Sequence, residues 1–249
     1  MLDSASGIAG ESTLVGRVKT MRPITATSLL ALCVLAIPAS ASDFVLNFSG
    51  DICSSNADGS GPLVACRNAS NLGDYNGNAI NESYGDSAQA NVTYKDLIVP
   101  GNSLRWWDQG YSSLVGITWG GVGDANGQSW DRIEIAPVGG DTITLDGFNL
   151  GAFPFADLTS NVEILDLATN AVLLDYGVQT IGAGGIATHF SPNISSGNGI
   201  AIEWRDTGYS VGIDNIQFST NAVPEPSQLP GLAGALCLIL IGLRRRAER

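Results

Sequence analysis

Few side chains in this chain have the chemistry of catalysis. The only histidine is His189, in the segment IATHFSP, where alternation places it on the polar side of a strand. A serine or cysteine nucleophile needs a base within hydrogen-bond reach, and a thiolate metal site needs closely spaced cysteines or histidines. No CxxC spacing occurs, and His189 is far along the chain from every cysteine. It is therefore expected to be a surface or locally bonded residue. Glycoside hydrolysis requires only two carboxylates at a fixed separation, but no motif singles out a pair. The chain reads as non-catalytic, with a glycan-active hydrolase as the least favoured alternative.

The aromatic residues are more suggestive. SLRWWDQGYSSL places Trp106, Trp107 and Tyr111 in a polar setting, and TWGGVGDANGQSWD brackets a Gly-rich loop between Trp119 and Trp130. Flat rings of this kind stack on sugar faces. They also fill β-sandwich cores, and a Trp-Trp pair on a strand must turn one ring in and one out. Both uses stay open for these five residues.

Charge excludes one class of partner. Between residues 42 and 222 the only Lys/Arg are Arg67, Lys95, Arg105, Arg132 and Arg205, against twenty Asp/Glu. Such a surface repels phosphate backbones, and no basic patch interleaved with aromatics offsets it. Nucleic acid is not expected as a partner.

What must position the aromatics is a set of short strands. The chain has 31 Gly and only 14% charged residues, a composition suited to strands joined by tight turns. Phe44, Leu46 and Phe48 alternate on one face of a first strand. Residues 50–90 read as a largely irregular excursion anchored by Leu63, Val64 and Tyr84. Strands are then expected at 92–97, 113–119, 132–136, 142–150, 162–167, 172–176, 200–205 and 211–218, separated by turn signals such as Gly139-Gly140 and Thr169-Asn170. Helical periodicity is confined to the two end segments. The pattern predicts an all-β domain over 42–222, an antiparallel β-sandwich of jelly-roll type, flanked by an N-terminal signal helix and a C-terminal transmembrane helix.

The ends carry targeting signals. From Met21, Arg22 is followed by an apolar stretch around Leu29–Ile37 and by Ala39-Ser40-Ala41, a small-residue cleavage site. Residues 21–41 thus read as a secretory signal for the Sec export machinery, with cleavage after Ala41. Residues 1–20 precede this second Met and are expected to be a mis-called or disordered extension. At the other end, Val223-Pro224-Glu225-Pro226 leads to an apolar span, 229–243, and then to Arg244, Arg245 and Arg246. As a helix the span reaches about 22 Å at ~1.5 Å per residue, short of the ~30 Å hydrocarbon core. The arginines hold its end on the cytoplasmic side. Inner-membrane residence is expected to be transient, with the acidic domain outside.

Export also decides the cysteines. Cys33 lies in the signal and Cys237 in the tail, leaving Cys53 and Cys66 as an even pair in an oxidising compartment, where a disulfide is expected.

The order Pro-Glu-Pro, short apolar span and terminal arginine cluster, behind a signal peptide, resembles the PEP-CTERM sorting signal. The resemblance covers residues 223–249. It implies recognition of Val223, Pro224, Glu225, Pro226 and Arg244–Arg246 by exosortase, a membrane-embedded partner that does the cutting, and a destination on the cell surface or in the extracellular matrix. The segments TITLDGFNLG, VEILDLATNAVLLDY and VGIDNIQF are similar to the C-terminal half of sandwich domains common in such proteins, themselves like galactose-binding and carbohydrate-binding modules. That likeness implies a structural calcium with an acid on the final strand, here Asp214, and a partner near the first strand, here Asp43. The expected function is a non-catalytic surface or matrix protein associated with exopolysaccharide. The alternative is a structural or adhesive protein that binds protein partners.

Overall fold

The structure, a computed structural model, describes residues 41–67, 79–114, 117–119, 129–154, 157–205 and 210–221. The expected extension (1–20), most of the signal, the span 229–243, and Val223, Pro224, Glu225, Pro226, Arg244, Arg245 and Arg246 lie outside these. Among the described residues no helix is long and apolar enough to cross a membrane.

The domain is all-β and antiparallel. Its strands are β1 (Ala41–Leu46), β2 (Cys53–Ser54), β3 (Leu63–Val64), β4 (Ala79–Ile80), β5 (Ala90–Asp96), β6 (Arg105–Trp107), β7 (Ile117–Trp119) and β8 (Trp130–Pro137), followed by β9 (Thr142–Ala152), β10 (Leu158–Asp166), β11 (Val172–Ile181), β12 (Thr188–Phe190), β13 (Ile194–Ser196), β14 (Ile200–Arg205) and β15 (Val211–Asn221). One sheet runs β12-β9-β15-β7-β6-β4-β2-β3, with β1 added to β15 and β13 to β9; the other runs β11-β10-β14-β8-β5.

Alternation explains why these segments are strands and which side they bury. In β8, Ile133 and Ile135 are buried while Arg132 and Glu134 turn outward; in β5, Val92 and Tyr94 go in and Asn91 and Thr93 go out. From the other sheet come Ile143, Leu145, Phe148, Ile213, Ile216 and Phe218, and the two inner faces share one core. Ile213 and Ile216 both reach that core, although three residues apart, because β15 shifts register after Asp214. Asn215 there takes a left-handed φ of 52°.

Several sequence expectations need correction. The strand predicted over 113–119 is only Ile117–Trp119, because Tyr111–Leu114 forms a turn laid against the larger sheet. Gly151 makes that approach possible: a Cβ there would lie 2.5 Å from the Tyr111 carbonyl oxygen. The stretch 50–90 is not simply irregular, since β2, β3 and β4 pair within it, and Leu63, taken as an anchor, is 55% exposed. Tyr84 does anchor it, its hydroxyl oxygen accepting the Phe48 backbone N–H at 3.0 Å. Cys53 and Cys66 are joined, with Cα atoms 5.1 Å apart. Their bridge ties β2 to the segment just after β3, at the far end of the larger sheet, an effect of roughly 3 kcal/mol for a loop of this length.

Candidate functional site

The outward face of the five-stranded sheet gathers three of the domain's five basic residues. Register sets Lys95 opposite Arg132, and Arg132 opposite Glu203. The facing cations are reconciled by Glu134, which takes Lys95 Nζ at 2.7 Å on one oxygen and Arg132 Nε at 2.9 Å on the other. Arg132 also reaches Glu203 at 3.0 Å and donates to Asn170 Oδ1 at 2.8 Å. One strand further, Arg205 pairs with Glu163 at 2.7 Å. Arg132, Glu134 and Glu203 are all largely shielded, so this network is less screened than isolated surface pairs.

Trp130 stands at the edge of this lattice. Directly opposite Arg205, it donates its indole N–H to Glu203 at 2.8 Å, and the Arg205 guanidinium lies 5.2 Å from its ring centroid. The ring is thereby fixed in orientation by a hydrogen bond and a cation–π contact, yet the residue remains 37% exposed. A large apolar surface held rigid at a wet face, with carboxylates and guanidinium groups around it, suits stacking against a ligand ring while polar neighbours exchange hydrogen bonds.

The other candidate aromatics are placed differently. Trp106 packs on the core and donates its indole N–H to the Phe48 carbonyl at 2.9 Å. Tyr111 is buried with Leu114 in a small cluster flanked by Trp107 and Phe153, its ring 5.3 Å from that of Phe153. Of the two uses left open for Trp106, Trp107 and Tyr111, these contacts describe packing. Trp119 lies in β7, between β6 and β15, and its side chain is outside the described residues.

Asp214 is 4% exposed and lines a cleft of about 350 Å³ with Asn47, Ser49, Ser113, Leu114 and Asn215. Its carboxylate accepts from Asn215 N at 2.7 Å and Asn215 Nδ2 at 3.2 Å. Burial pushes the carboxyl up to about 7, against the lowering effect of the Asn215 N–H. Asp43 is not its partner. It pairs with Ser219 at the other end of β15, where its charge helps raise Asp146, a carboxyl lifted first by burial. Calcium takes six to eight oxygens, from carboxylates, carbonyls and water. Among the described residues no group of three His, Cys, Asp or Glu is placed to hold a metal.

His189 is exposed on β12, as its alternation implied, with Nδ1 2.8 Å from Asn149 Oδ1 and Nε2 2.9 Å from Ser191 Oγ. It is locally bonded. Sequence reasoning missed Lys95, Arg132, Glu134, Glu203, Arg205 and Glu163. A usable signal was present, for DRIEI and IEWR both alternate apolar residues with charges of opposite sign, the mark of adjacent strands showing one polar face.

The chain matches no protein-family model, no curated protein and no solved structure.

Proposed function

We propose that this is an exported, non-catalytic surface or extracellular-matrix protein, delivered by the Sec machinery and held briefly in the inner membrane. Exosortase then sorts it through the Pro224-Glu225-Pro226 tail. Its domain, a jelly-roll of galactose-binding-like type, associates with exopolysaccharide through the outward face of the five-stranded sheet. The observation that carries this reading is Trp130, exposed yet fixed by Glu203 and Arg205.

Placement of the face supports it. Trp130 pairs with Arg205, the last residue of β14, and Trp204 next to it donates to the Val211 carbonyl at the start of β15. The tail leaves from the opposite end of β15, after Asn221. Trp130 is therefore carried at the end of the domain away from the tether.

Pull-down of the purified domain on neutral polysaccharides tests the proposal. Retention is expected to fall at least about tenfold for Trp130→Ala, the loss of one stacked ring, and to be unchanged for Leu63→Ala, an exposed apolar control. No retention of the native domain on any polysaccharide would reject the reading in favour of protein partners.

A further inference from the structure

Strand register carries a line of side chains from Trp130 across the five-stranded sheet, one residue per strand. Trp130 of β8 stands opposite Arg205 of β14, Arg205 opposite Asn161 of β10, and Asn161 opposite Val178 of β11. Direct partners in a ladder point to the same side, so these four share the outward face. The two ends of the row are apolar and wet, Trp130 at 37% exposure and Val178 at 69%, and Asn161 between them is half-buried. A valine so exposed adds little to the core.

The neighbouring row is of another kind. In it Glu203, Glu163 and Asp175 follow one another across β14, β10 and β11. Glu203 is taken by Trp130 and Arg132, Glu163 by Arg205, and Asp175 by the Gly177 N–H at 2.6 Å. A line of three carboxylates repels an anionic ligand. The cations Lys95, Arg132 and Arg205 do not offset it, because each is already held by a carboxylate.

We propose that the row from Trp130 to Val178 is a track for a linear, uncharged glycan lying across the strands. The proposal rests on reading this face as a polysaccharide site, and it gives that site a direction, a length and a charge preference. Sugar rings have apolar C–H faces and hydroxyl rims. The C–H faces lie on Trp130 and Val178 at the two ends. In the middle, hydroxyls bond the guanidinium hydrogens that Arg205 does not give to Glu163 and the Asn161 amide, which both donates and accepts. Neighbouring strands lie ~4.8 Å apart, so the row runs about 14 Å, the reach of roughly three pyranose residues. A chain running along the strands would instead pass from Trp130 onto the carboxylate row.

The test is affinity electrophoresis of the full chain in detergent micelles, through gels holding dextran, a soluble β-1,4-glucan, a galactomannan or polygalacturonate. The native chain is compared with Val178→Asp, Asn161→Ala and Val172→Asp, each first shown to melt like the native. Retention is expected on at least one neutral polymer and not on polygalacturonate. Val178→Asp is expected to lower it about fivefold and Asn161→Ala about threefold. Val172, also exposed on β11 but ~20 Å along the strand, is the control, and Val172→Asp is expected to leave retention unchanged. Fragments of the retained polymer should compete better with length up to about three residues and gain little beyond. Retention that falls with Trp130→Ala yet is equal for the native chain, Val178→Asp and Asn161→Ala would overturn the track alone. Retention on polygalacturonate as strong as on the neutral polymers would overturn its charge preference. No retention of the native chain on any of the four would overturn the polysaccharide reading, and the track with it.

Discussion

Trp106 and Trp130 are the same side chain on strands of the same domain, and what covers each one gives them different work. Trp106 lies in β6 of the larger sheet, packs on the core and ties its N–H to the Phe48 backbone. Nearby, the Tyr111–Leu114 turn lies over Gly151 and buries a second cluster. Trp130 begins β8 on the smaller sheet, where the Arg205 guanidinium lies over its ring, its N–H is held by a carboxylate and the residue stays 37% exposed. An aromatic becomes a binding element when its polar atom is satisfied by side chains of its own face and its ring is left wet. It becomes packing when that atom is satisfied by backbone from another layer.

The largest effects should fall on the covered region. Trp106→Ala is expected to cost about 3 kcal/mol in urea unfolding, through the lost ring volume and the unpaired Phe48 carbonyl. Trp130→Ala should stay within about 1 kcal/mol; an equal cost would mean that the outward face is structural as well. Reduction of Cys53–Cys66, which lies on the larger sheet, should cost roughly 3 kcal/mol.

A smaller effect comes from the lattice. Arg132→Ala removes the cation that Glu134 and Glu203 share, and about 2 kcal/mol of stability should be lost. Arg132→Lys, with a point charge in place of the guanidinium fork, should recover only part of it.

The smallest effects separate two buried carboxylates by the direction of their pH dependence. Asp214 sits near 7, above its ordinary 3.8. The folded form then binds the extra proton, so its contribution is full below about 4 and is lost as pH rises through 7. Asp166 is held down at about 2 by Thr169, Ser196 and Asn198. Its contribution is present above about 4 and is lost as pH falls through 2. Asp214→Asn should flatten the decline of stability between pH 4 and 7, and Asp166→Asn the decline between 4 and 2, both followed by thermal melting across pH.

Much of the fold was legible from alternation. β9, β14 and β15 begin where Thr142, Ile200 and Val211 open their apolar patterns, and β5, β8 and β10 differ from expectation by a few residues at their ends. β12 and β13 were not legible, because three-residue strands such as Thr188–Phe190 carry too little pattern and are defined by their pairing to β9. The site was half legible. Trp130 stood among the candidate aromatics, but sequence could not separate it from Trp106 or Tyr111, since burial depends on which loop folds over which sheet. The charge lattice depends on register between β5, β8 and β14, and residues such as Lys95 and Arg132, far apart in the chain, become neighbours only in the assembled sheet. Asp43 and Asp214 show the reverse: a likeness suggested a pair that the register of β1 on β15 keeps apart.

The most direct test of the central claim is retention of the native domain and of Trp130→Ala on neutral polysaccharide, each first shown to be folded by its melting profile. The account predicts retention of the native domain and a drop of at least about tenfold for the variant at unchanged stability. Equal retention of the two folded proteins would contradict it.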